Sequence, residues 1–130
     1  MAEGDYLALD VGSKRTGIAR ASSVAKLPEP LKIVETDKLI DELKTLVTAQ
    51  PALGIVVGLP RNLNGDDTDQ TRWVRKWTEQ AEKEIDVPFH FQDEALTTTE
   101  ALSRQPNNSQ PDAEAAVIIL QDFLNGKEDQ

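Results

Sequence analysis

Apolar positions alternate at the start of the sequence and later shift to a helical period. Residues 5–10, DYLALD, alternate and close on an acid, which predicts a first strand. A glycine-bearing turn, VGSKRTG, follows, and residues 18–22, IARAS, predict a second strand paired back across it. Pro28 and Pro30 punctuate the chain before a third strand at 31–35. Over residues 38–49 the period lengthens. Leu39, Ile40, Leu43, Leu46 and Val47 sit at helical spacing, with Asp37 placed to cap the helix and Pro51 to end it. GIVVG, residues 54–58, is a short unbroken apolar run, as expected of a strand buried on both faces.

The turn-rich loop LPRNLNGDDTD comes next, with Asn64-Gly65 marking a tight turn. Thr68 or Asp69 can cap a helix running to about residue 85, whose apolar face is Trp73, Val74, Trp77, Ala81 and Ile85. Residues 87–92 predict a fifth strand that ends at Asp93-Glu94, and Thr97–Ser103 a short helix. Pro111–Leu124 is the last predicted helix, with Ala116, Ile119, Leu120 and Phe123 on one face and Gly126 as its stop. The order βββ-α-β-α-β-α-α predicts an α/β fold, a mixed five-stranded sheet with helices on its faces. With no internal repeat or linker, residues 1–130 read as one domain.

Composition narrows the class. No run approaches the roughly 18 apolar residues of a membrane span. The opening residues lack the basic and apolar regions of a signal peptide. There are no cysteines, hence no disulfide and no thiolate metal site, and a cytoplasmic location is the default expectation. The net charge of −9 argues against a protein that coats nucleic acid non-specifically, which needs basic surface to release counterions. It leaves a nuclease open, because bound cations invert the local charge of an acidic site.

Three acids stand at informative places: Asp10 at the end of the first strand, Glu94 at the end of the fifth, and Asp112 in the first turn of the last helix, four residues before Ala116. If the first and fifth strands run parallel, their ends share the sheet edge where open α/β sheets collect ligands. Carboxylates from separate elements suit Mg²⁺, a hard ion that prefers oxygen ligands. Two such ions stabilise the attacking and leaving oxygens of a phosphodiester. Each acid alone also has an ordinary explanation. Asp-x-Gly after a strand is commonly a turn, Asp in a first helical turn complements the macrodipole, and Asp93-Glu94 fits a solvated loop. His90, the single histidine, lies in a predicted strand, and Trp73 and Trp77 have the spacing of core residues.

Four ordered segments resemble a known family. LALDVGSKRTGIA, IVVGLPRNLNG, QDEALTTTEA and PDAEAAVIILQDFL are similar to successive motifs of the YqgF family of pre-16S rRNA nucleases, once called Holliday-junction-resolvase-like. The likeness runs from about residue 5 to 125 and implies a ribonuclease H-like fold. It also implies metal-binding or catalytic roles for Asp10, Glu94 and Asp112, with Mg²⁺ or Mn²⁺ as cofactor. Lys14, Arg15, Arg61, Asn62, Thr97 and Thr98 become candidate substrate contacts. Position 95 is alanine where the family usually carries arginine, and the segment before Asp112, SRQPNNSQP, keeps only Arg104 of a commonly basic connection. These departures bear on substrate grip more than on metal.

The leading expectation is a two-metal hydrolase that cleaves phosphodiesters in structured RNA, with 5′-end maturation of precursor 16S rRNA as the implied role. A ribosomal partner and a monomer or weak dimer go with that reading. Resolution of branched DNA is the second reading and would call for a two-fold dimer. A non-catalytic assembly factor on the same fold is the third. Nucleotide binding, which LDVGSKRTG faintly suggests, ranks last, because actin-like enzymes enclose nucleotide between two such domains.

Overall fold

The computed structural model describes residues 4–62, 64–95 and 113–128. Its strands are β1 (Asp5–Val11), β2 (Arg15–Ser22), β3 (Glu29–Glu35), β4 (Ala52–Arg61) and β5 (Phe89–Ala95). Its helices are α1 (Leu39–Ala49), α2 (Asp69–Glu84) and α3 (Ala113–Glu128). The strands form one mixed sheet in the order β3-β2-β1-β4-β5. β2 runs antiparallel to β1 and β3, while β1, β4 and β5 run parallel. This is the mixed five-stranded arrangement expected from the alternation of apolar runs.

Strand alternation sorts side chains onto two faces. Leu7, Leu9, Val11, Ile18, Ile55, Val57 and Leu59 point one way and form a core with Leu39 and Leu43 of α1 and Val74 of α2. Ala8, Ala19, Ala21 and Val56 point the other way, beneath Ala116, Ile119, Leu120 and Leu124 of α3. The sheet is thus sandwiched between helices, which is why β4 reads as an unbroken apolar run. Small residues dominate the α3 side because that helix lies close to the strands. A Cβ at Gly58 would overlap the Cδ1 of Ile119.

Several expected boundaries move. β2 starts at Arg15 rather than residue 18, because Gly12 N–H donates to the Arg15 carbonyl (3.0 Å) and closes a tight hairpin. Asp37 does not cap α1. It lies in a 3₁₀ turn, Thr36–Lys38, whose first residue is tied to the hairpin by Thr36 N–H to the Lys14 carbonyl (2.8 Å) and Thr36 Oγ1 to the Gly12 carbonyl (2.6 Å). Thr68 does cap α2, accepting from Thr71 N–H in a reciprocal capping box. Trp77 packs on the core as expected, but Trp73 is exposed, and Thr71 and Thr78 fill the buried face instead. β5 runs on through Asp93 and Glu94 because its partner β4 extends to Arg61. α3 continues past Gly126, which stands on an exposed helix surface. The helix expected at Thr97–Ser103 lies outside the described residues. Among the described residues no helix is long and apolar enough to cross a membrane.

Candidate active site

Asp10 and Glu94 arrive at the same end of the sheet on the same face. Asp10 follows Leu9 in β1, and Leu9 points into the α1–α2 core, so Asp10 points toward the α3 side with Ala8. In β5, Phe89 belongs to the α1–α2 core and His90 stacks on Phe123 of α3, with ring centroids 5.2 Å apart. Alternation from His90 therefore puts Glu94 on the α3 side too. The strands carrying both acids flank β4 and run parallel to it, so both carboxylates sit at strand carboxyl ends, where open α/β sheets place their ligands. His90 serves packing, as its place in a strand suggested.

The surroundings of Asp10 fit a cation. Its register partner on β2 is Gly17, which brings no side chain. On β4 the residue after Val57, the partner of Leu9, is Gly58. Asp10 is half-buried and its Oδ2 is fully covered. With strands roughly 4.8 Å apart, the lines of β1 and β5 are about 10 Å apart. Two carboxylates reaching inward across that span leave room for hard cations with oxygen ligands. Among the described residues no group of three potential ligands gathers. The third expected acid, Asp112, lies outside the described residues, as do Thr97 and Thr98. α3 starts at Ala113 and buries Ala116 against the sheet face that carries Asp10.

Lys14 and Arg15 occupy the hairpin just beyond Asp10, both exposed, with their carbonyls fixed by Thr36 and Gly12. Arg15 shares the α3 face with Gly17 and Ala19. Asn62 shapes the loop after β4. Its Oδ1 accepts from the Asn64 and Asp66 amides (3.0 and 2.9 Å), and Gly65 takes φ +81° to complete the turn. Arg61 lies on the opposite face of the sheet from Asp10 and Glu94, among carboxylates. Its Nε is 3.6 Å from Asp67 and 3.4 Å from Asp93, and its Nη1 donates to the Gly65 carbonyl (3.1 Å). The sequence did not show that Asp67, Asp93 and Arg75 gather around Arg61, since pairing across a loop leaves no periodic signal. An open groove of about 440 Å³ by Lys44, Pro51, Ala52 and Glu84 lies at the other end of β4 and takes no part in the site.

The family model described as "RuvX: Holliday junction resolvase" matches residues 4–126. Proteins named "Putative pre-16S rRNA nuclease" from Rickettsia felis and Rickettsia bellii (strain OSU 85-389) are 35% and 36% identical to this chain. Each match covers 92% of this chain and 84% of the relative. Among solved structures, Thermus thermophilus RuvC in complex with a Holliday junction substrate superposes with a TM-score of 0.59 at 13% identity. It covers 95% of this chain and 96% of that one. A second Thermus thermophilus RuvC structure gives 0.56. This likeness shows the fold, which is the ribonuclease H-like architecture. With the family model spanning nearly all of the sequence and relatives above 30% identity, the chain belongs to the RuvX family, also called YqgF.

Proposed function

We propose that this protein is a divalent-metal-dependent nuclease that cleaves phosphodiester bonds in precursor 16S ribosomal RNA. The observation that carries the reading is the convergence of Asp10 and Glu94 on one face at the carboxyl ends of parallel strands. Asp112, immediately before α3, is assigned as the third ligand. Bound Mg²⁺ or Mn²⁺ supplies Lewis acidity and lowers the pKa of a water nucleophile. The residues do the rest. Asp10, covered on Oδ2, presents its carboxylate beside Gly17, where no β2 side chain stands in the way of a cation. Glu94 approaches from the other side of β4. Lys14 and Arg15, exposed beside Asp10, meet backbone phosphate, and the Asn62 loop borders the same end of the sheet. The names of the relatives support ribosomal RNA as substrate, and a cytoplasmic setting goes with that reading.

The test is incubation of precursor 16S RNA and four-way junction DNA with Mn²⁺, for wild type, Asp10→Asn and Asp112→Asn. Metal-dependent RNA cleavage by wild type, reduced at least about a hundredfold in both variants with folding retained, supports the reading. Full activity of Asp10→Asn sinks it. Cleavage of the junction alone moves the assignment to branched DNA, which the family's description favours. Mn²⁺ binding without cleavage of either makes the protein an assembly factor.

A further inference from the structure

The sheet face opposite Asp10 and Glu94 carries a closed ring of charges at the same end of the strands. Arg61 ends β4 and reaches Asp93 on β5 (3.4 Å) and Asp67 in the loop (3.6 Å). The other oxygen of Asp67 accepts from Arg75 Nε of α2 (3.1 Å). The Arg75 guanidinium then lies over the ring of Phe91, 5.5 Å from its centroid. Phe91 and Asp93 are two residues apart on the same face of β5, so the ring returns to the strand from which it started.

From this geometry we infer that Arg61 is a positioning residue for the nuclease site, acting through Asp93 on its neighbour Glu94. Among the described residues β5 is an edge strand, hydrogen-bonded on one side, to β4. The last residues of such a strand have half the usual backbone restraint. Arg61 supplies the missing restraint at two points: its side chain holds Asp93, and its backbone is the register partner of Ala95. Glu94 lies between those two residues with its side chain directed to the opposite face. Isolated exposed ion pairs contribute little, but several charges joined in a network are the recognised exception. Arg61 Nε is covered from solvent and meets Asp93 and Asp67 at ion-pair distance without a hydrogen bond to either, so the hold is electrostatic. A direct grip on substrate phosphate by Arg61 is disfavoured, because its guanidinium already faces two carboxylates and a carbonyl, on the side away from Asp10.

The inference rests on the nuclease reading only where it assigns Glu94 a metal, and the test separates the two. Mn²⁺ affinity by calorimetry and amide hydrogen exchange at Asp93–Ala95 are measured for wild type, Arg61→Ala, Arg61→Lys, Asp93→Asn and the double variant Arg61→Ala/Asp93→Asn. Arg61→Ala and Asp93→Asn should each weaken Mn²⁺ binding about tenfold and speed exchange at Asp93–Ala95, with the double variant no worse than either single. Arg61→Lys should recover part of the loss. Cleavage should lose kcat with little change in KM. Unchanged exchange and Mn²⁺ affinity in Arg61→Ala, or additive effects in the double variant, overturn the inference. So does a rise in KM alone with a shallower salt dependence, the signature of a lost phosphate contact. If wild type binds no Mn²⁺, the nuclease reading fails, and exchange at Asp93–Ala95 alone decides whether Arg61 fixes the strand end.

Discussion

Gly58 shows how one missing side chain sets the distance between a helix and the site. It lies in the middle of the apolar β4 run, yet its role is to admit Ile119 of α3, which is itself almost fully buried. Gly58→Ala forces that side chain aside in a packed layer with no slack, at a cost of about 1–3 kcal/mol. Urea denaturation should show a lower midpoint with unchanged slope. A midpoint equal to wild type would mean that α3 rides higher on the sheet than described. Asp10 was legible in the sequence as an acid closing a strand, and the order of motifs named its partners. What the pattern could not show was the glycine at its register position on β2. That neighbour depends on how the hairpin closes, and the Gly12–Arg15 hydrogen bond decides it.

Helix and strand boundaries depend on contacts that local pattern cannot reveal. Asp37 has the chemistry of an N-cap, but Thr36 is already committed to the hairpin through Gly12, Lys14 and Thr16. The turn is therefore drawn into a 3₁₀ geometry before α1 begins. The Thr68 cap was legible because its partner, Thr71, is three residues on. α1 and α2 are tied at their edges by Lys44 and Glu84, Nζ to Oε1 at 3.2 Å. The hydrogen bond from Lys44, aided by one from Gln80 and by the charge of Lys44, holds the Glu84 carboxyl below its ordinary 4.5. A lowered carboxylate contributes stability that is fully present above its unfolded value and is lost as pH falls through the folded one. Lys44→Met should move the Glu84 titration midpoint, followed by carboxyl carbon NMR, upward toward 4.5. A downward shift would contradict the assigned pair.

At the scale of the whole molecule, a net charge of −9 sets the conditions for any nucleic-acid substrate. On the proposed nuclease reading, phosphate and protein repel beyond contact range, and cations held by Asp10 and Glu94 would reverse the local sign. RNA binding measured by filter retention should be at least roughly tenfold tighter with Mn²⁺ than with chelator at equal ionic strength. Equal binding in both would place the substrate on another surface.

The sequence by itself determined the elements and their chemistry: alternating strands, amphipathic helices, and acids at strand and helix ends. Such features depend on spacings of a few residues, which side-chain period and turn chemistry dictate. The resemblance in four ordered motifs extended that to the family and to the trio Asp10, Glu94 and Asp112. Tertiary structure decided the strand order that places β1 and β5 on either side of β4. It also decided the face on which Asp10 and Glu94 both emerge, and the partners of Arg61. Parallel pairing between strands distant in sequence depends on the crossover helices and on the register of a buried sheet. A slip of one residue would have sent either acid to the opposite face. Asp10 and Glu94, first read one by one along the chain, reach one face and one end of the sheet only through that register.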